Sequence, residues 1–224
     1  MPRRIRSLAL LAVVLLGSAT RGQDSPYEMA VASGTLVKVD MGKKVIFTPV
    51  VQGKAGKQVT LDITPDSSIA EVAATANSAG KVALSVKPIK HVDLQPAQKQ
   101  FVSVIYAKAG DDNHLLFLAA TDPKLPKGVV VEAARGILNK IDADTSMTVQ
   151  PFVDGKFGKQ MVLSLRVGSK FFEMAPKDDA KRPFDYKAAK LADLTPKRQA
   201  ISFLFARVND EPTLLAVVTQ PAKE

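Results

Sequence analysis

The sequence predicts an all-β protein: two copies of one small domain, laid end to end as tandem five- to six-stranded β-barrels. Two observations predict this. The chain repeats itself at an offset of 102 residues that later falls to 100 and 99. Short segments alternate apolar and polar side chains, and none keeps a 3.6-residue period over three turns.

The repeat begins where Gly34-Thr-Leu-Val-Lys-Val-Asp40 matches Gly136-Ile-Leu-Asn-Lys-Ile-Asp142. The register holds without a gap to Leu61 and Leu163, and 12 of those 28 positions are identical. Composition alone would give roughly two. Asp93-Leu-Gln-Pro96 then matches Asp193-Leu-Thr-Pro196, and Leu115-Leu116 matches Leu214-Leu215. Offsets that drift in turns and hold through apolar runs are expected of duplicated folded units. The boundary falls in Thr121–Gly128, whose two prolines and glycine suit a short linker. The organisation expected is a leader over 1–22, a first copy over 23–127 and a second over 128–224.

The leader is read from Arg3, Arg4 and Arg6, the apolar run Leu8–Leu16, and the small residues Gly17, Ser18 and Ala19. Cleavage after Ala19 or Gly22 satisfies the small-x-small rule. The apolar run is far shorter than the roughly 20 residues that span a bilayer, which favours export over anchoring. The chain has no cysteine, so it has no disulfide and no lipid-attachment thiol, and stability after export must come from packing. Losing Arg3, Arg4, Arg6 and Arg21 with the leader takes the net charge from +9 to +5. The rest is spread evenly over both copies, without the concentrated basic face typical of nucleic-acid binding.

Within one copy, strands are predicted at Thr35–Asp40, Lys44–Val51, Val59–Thr64, Phe101–Lys108 and Leu115–Thr121. Their counterparts are Ile137–Asp142, Ser146–Val153, Met161–Val167, Ala200–Val208 and Leu214–Thr219. A single helical turn is expected at Asp93–Gln98 and at Asp193–Arg198, with Asp capping and Pro in the first turn. Three strands, a helical turn and two strands is the layout of the oligonucleotide/oligosaccharide-binding (OB) barrel. Gly34 and Gly136 allow the bend that a small barrel needs in its long first strand. Two β-sandwiches are the competing architecture, because Gly80–Lys87 reads as an extra strand. The second copy shows no clear equivalent, since Lys181–Lys187 is interrupted by proline and charge.

The segments Gly-x-Leu-x-Lys-(Val/Ile)-Asp, Gly168-Ser-Lys-Phe-Phe172 and Lys190-Leu-Ala-Asp-Leu-Thr-Pro196 resemble a pattern of small exported bacterial OB-like barrels, a repeat family classed as domains of unknown function. The resemblance spans most of the second copy and, more loosely, the first. It departs where the pattern has Gly after Pro, since Ala97 and Lys197 stand there. It implies fold and compartment and carries no assigned chemistry.

Motifs for catalysis are sparse. With only His91 and His114 and no cysteine, zinc and thiol chemistry have little to build on. Asp111-Asp112-Asn113 lacks the closing carboxylate of a calcium loop and reads as a hairpin turn. Gly53-Lys-Ala-Gly-Lys57 lacks Walker spacing and joins strand to strand. Asp178-Asp179 reads as a solvated loop pair, and Asp40 and Asp142 as turn residues. No catalytic residue, metal site or cofactor is assigned, and a hydrolase with an unrecognised carboxylate site is the remote alternative.

One feature points to binding. The repeated Gly-Lys-x-Gly-Lys loop offers Lys54 and Lys57 in the first copy. In the second, Lys156 and Lys159 flank Phe157. An aromatic face between cations is how OB-type surfaces hold sugars or single strands. The opposing reading is a solvated tip whose Phe folds back onto the barrel. Lys181, Arg182, Phe184, Tyr186 and Lys187 form a second basic–aromatic stretch. The function expected is a non-enzymatic exported binding or structural module of the bacterial cell envelope, facing a polymer or a protein. A polyanion- or glycan-binding protein using the basic–aromatic tip is the alternative.

Overall fold

The computed structural model describes residues 27–40, 42–76, 82–126, 128–142, 144–153, 155–179, 182–196, 199–208 and 210–220. The expected leader and its cleavage points lie outside these residues. The first unit contains β1 (Glu28–Asp40), β2 (Lys44–Val51), β3 (Lys54–Ala55), β4 (Val59–Asp62), β5 (Ser68–Ala76), β6 (Val82–Pro88), β7 (Phe101–Ala109) and β8 (Asp112–Thr121). The second repeats this order as β9 (Val129–Asp142), β10 (Ser146–Val153), β11 (Lys156–Phe157), β12 (Met161–Ser164), β13 (Lys170–Pro176), β14 (Phe184–Ala188), β15 (Gln199–Val208) and β16 (Glu211–Thr219). Each set of eight forms one sheet, with the same neighbour order. The chain is all-β and duplicated.

Five strands of each unit pair in a closed circuit. In the first, β1 pairs with β2, β2 with β4, β4 with β8, β8 with β7, and β7 with β1. The second closes the same way through β9, β10, β12, β16 and β15. All pairs are antiparallel except the closing one, which is the Greek-key order of the five-stranded barrel. That closing contact is narrow, a single parallel step at Asp62–His114 and at Ser164–Thr213. Beyond it, β5 and β13 pair in parallel with β8 and β16, so the β5–β6 and β13–β14 hairpins extend each sheet outside the barrel.

The first strand of each unit lies very close to its neighbour at a glycine. Gly34 stands opposite Pro49, and Gly136 opposite Pro151. A Cβ at either glycine would overlap the backbone carbonyl oxygen of Thr48 or Gln150. The inward side chains then close each barrel around Leu36, Phe47, Leu61, Val104 and Leu118, or around Leu138, Met147, Leu163, Phe203 and Val217. Leu94 and Leu194 join these cores. Each is carried by a short 3-10 turn, His91–Asp93 or Leu191–Asp193.

Three sequence expectations need correction. Within the span expected for the first-copy turn, Pro96–Gln98 does form a 3-10 turn with Pro96 at its start, but Asp93 and Asp193 end the preceding turns instead of starting them. Each carboxylate reaches back to accept the Lys90 or Lys190 backbone N–H, at 2.9 and 2.7 Å. The extra strand of the first copy does have a partner in the second, Phe184–Ala188, because its alternating Phe184 and Tyr186 outweigh the charge around them. And β5 and β13 are full strands where none was expected. The small residues of β5 do not alternate cleanly, whereas β13 does alternate, burying Phe172 and Met174.

A third apolar cluster lies between the units. It joins Met29, Ile105 and Phe117 of the first to Val131, Phe172 and Leu204 of the second. The Phe117 and Phe172 rings lie 5.8 Å apart, and the Tyr27 and Phe184 rings 5.4 Å apart. Ser103 Oγ shares a hydrogen bond with Ser33 Oγ at 2.8 Å and donates to the Val131 carbonyl at 3.2 Å. Ser202, its equivalent, has a buried hydroxyl with no hydrogen-bond partner among the described residues.

Two stability outcomes are expected in urea denaturation. Gly34→Ala and Gly136→Ala each cost about 1–3 kcal/mol, because the backbone they meet cannot retreat. Ser103→Ala costs about 1–2 kcal/mol by stranding the Val131 carbonyl, whereas Ser202→Ala is neutral or slightly stabilising.

Candidate functional site

The hairpin tips sit at the outer edge of each sheet. In the first unit, Gln52 and Gly53 turn with φ of 49° and 75°, a pair of left-handed residues that matches the twist of a two-residue hairpin. Val51 then faces Lys54, and Val50 faces Ala55. In the second, Val153 faces Lys156 and Phe152 faces Phe157. The tips are tied down by backbone bonds, Gly56 N–H to the Pro49 carbonyl and Gly158 N–H to the Pro151 carbonyl, both 2.8 Å. Gln150 Nε2 adds a bond to the Gly158 carbonyl at 3.1 Å.

All five candidate residues, Lys54, Lys57, Lys156, Phe157 and Lys159, are exposed. Phe157 keeps 57% of its surface in solvent. Its ring meets Phe152 edge to face at 5.3 Å. It is therefore propped against a neighbouring strand rather than folded into the core. Lys156 and Lys159 flank it in sequence. Each tip pairs only with strands of its own unit. In the first, Ala55 takes the place of the ring.

The second basic–aromatic stretch is not a binding surface. Phe184 and Tyr186 are buried in the cluster between the units. Arg182 pairs with Asp66 of the first unit at 2.8 Å and lies over the Phe184 ring at 5.2 Å. Lys187 pairs with Glu173 at 3.3 Å. Lys181 lies outside the described residues. The period-two spacing of Phe184 and Tyr186 marked a buried strand face, and charge drew attention away from it.

No known protein family, curated protein or solved structure matches this chain. Site chemistry therefore rests on the residues themselves.

No cluster of three or more His, Asp or Glu side chains is placed to hold a metal among the described residues. His114 is buried against the Phe184 ring at 5.5 Å, and its ring nitrogens have no hydrogen-bond partner among the described residues. Asp178 and Asp179 are exposed, as are Asp40 and Asp111. Glu132 is held above its usual range. Burial raises it, and Arg207 offsets this in part through bonds of 3.1 and 3.2 Å.

No sequence motif marks the concavity at the linker. A cleft of about 430 Å³ opens beside the linker, lined by Lys99, Phe101, Thr121, Pro123, Leu125 and Val130, among others. It is formed by the start of β7, the end of β8, the linker and the first residues of β9. Its signal was the pair Phe101 and Val130, large apolar residues left exposed.

Because the folded Glu132 pKa is raised, the unfolded chain ionises this group first as pH rises. Relative to Glu132→Gln, the wild type should lose stability between the ordinary glutamate pKa and the raised folded value, then run parallel above it. Urea midpoints of both proteins across pH 3–8 check this.

Proposed function

We propose that this chain is a non-enzymatic binding module of an exported, cell-envelope compartment, and that it grips an anionic polysaccharide through the second-unit hairpin tip. The observation that carries this reading is Phe157, held in solvent on a strand-paired tip, with Lys156 and Lys159 close to it in sequence. A sugar ring has an apolar face that stacks on an aromatic side chain, and its acidic substituents attract flanking ammonium groups. The tip is fixed by strand pairing and turn hydrogen bonds, so little conformational freedom is lost on contact. The first-unit tip, with Lys54 and Lys57 but Ala55 in place of the ring, adds attraction without stacking.

Export rests on the basic, apolar and small-residue order of the leader. The even charge distribution argues against nucleic acid as the principal ligand.

Retention of the mature chain on an immobilised anionic polysaccharide such as alginate tests the reading. Wild type should be retained and released by salt. Phe157→Ala should weaken retention about five- to a hundredfold, and Lys156→Ala with Lys159→Ala should lower the eluting salt concentration. Lys54→Ala with Lys57→Ala should act more weakly. Unchanged retention in the Phe157 and Lys156/Lys159 variants contradicts the proposal, as does preferential retention on single-stranded DNA.

A further inference from the structure

The surface joining the two units is built from the same positions of the duplicated chain. The pairing ladders make Ile105 equivalent to Leu204, Ala70 to Phe172 and Phe117 to Ala216, and all six lie in the shared cluster. The strand contacts are reciprocal: β1 lies against β9 and β7 against β15, while β7 meets β9 and β1 meets β15.

The loops at the periphery obey the same reciprocity. In the first unit, Ser67 Oγ accepts the Thr64 N–H at 2.9 Å and donates to the Leu115 carbonyl at 2.6 Å. In the second, Ser169 Oγ accepts the Arg166 N–H at 3.2 Å and donates to the Leu214 carbonyl at 2.9 Å. Each of these matched loops reaches the outer hairpin of the other unit. Asp66 binds Arg182 just before β14, and Arg166 donates to the Leu84 carbonyl of β6. Contacts in which residue i meets j, and the equivalent of j meets the equivalent of i, define a self-complementary two-fold interface. The aromatic contact has diverged within this symmetry. Phe117 meets Phe172 on one side of the axis, and their equivalents Ala216 and Ala70 are both small.

We infer that this face is a self-recognising surface that joins the units without the peptide link, and that its natural partner is the same surface on another copy of the fold. The chain is a covalently fused dimer. If the connection is too short for the units of one chain to meet, the surface takes a second copy of the chain by reciprocal exchange. The connection itself is compact: Asp122 N–H bonds the Val72 carbonyl at 2.9 Å, and Leu125 N–H the Asp122 carbonyl at 3.0 Å.

The full chain tests this directly. A protease recognition sequence is inserted between Lys124 and Leu125 and cut to completion, as judged on a denaturing gel. Sedimentation should then show one particle with the mass of the intact chain; two separated fragments overturn the inference. In the cut protein, Phe172→Asp should raise the dissociation constant of the fragments at least tenfold, whereas the exposed control Val162→Asp should leave it unchanged. Equal effects of the two place the adhesion elsewhere and also overturn the inference. Deleting residues 123–126 from the uncut chain should give a particle of twice the chain mass with an unchanged far-ultraviolet spectrum. A folded particle of single mass contradicts the exchange. Should the shortened chain not fold, the cut-chain measurement decides alone.

Discussion

The structure depends on four strands buried on both faces. In β7, β8, β15 and β16 one set of side chains fills a barrel and the alternate set packs against the other unit. Val102, Val104 and Tyr106 point into the first barrel, while Ser103, Ile105 and Ala107 face outward into the contact. A small barrel has a limited interior, and without disulfides it gains little else to offset chain entropy. Covering the outer faces adds a core that neither unit has alone.

That packing also decides which surfaces are free. The contact takes the outer faces of β1, β7 and β8, together with the β5–β6 hairpin and its counterpart. The β2–β3 and β10–β11 tips stay at the opposite edge of each sheet, exposed and paired only at home. The charge balance follows the same division. Arg182, Asp66, Arg135 and Glu28 are consumed in pairs between the units, at 2.8 and 3.2 Å. The lysines of the tips are left to solvent. Phe157 stands out because most other large aromatic side chains are buried or half-buried.

Much of this was legible in the sequence. Lys44–Val51 and Ser146–Val153 appear as read; the other barrel strands are found in the expected places with shifted ends, since β1 and β9 begin earlier, at Glu28 and Val129, and β12 stops at Ser164 rather than Val167. Gly34 and Gly136 mark the close approach of the first strand to the second. The hairpin strands outside the barrel were harder. Ser68–Ala76 is dominated by alanine, serine and threonine, and its alternation is blurred because it lies at the rim between two cores. Phe184 and Tyr186 do alternate, but Arg182, Asp185 and Lys187 made the segment look like a polar loop. The contact itself left a trace: Leu115-Leu116-Phe117-Leu118-Ala119-Ala120 is a continuous apolar run, the pattern of a strand covered on both sides. One copy alone cannot show what covers it. The linker cleft was illegible for a related reason, because its walls come from four separate places in the chain.

A core shared between the units must couple their unfolding. Differential scanning calorimetry of residues 23–224 measures that coupling most directly. One transition, with a calorimetric enthalpy about equal to the van't Hoff enthalpy, is the predicted result. Two resolved transitions, or a calorimetric enthalpy about twice the van't Hoff value, would mean that each barrel stands by itself and would contradict the account.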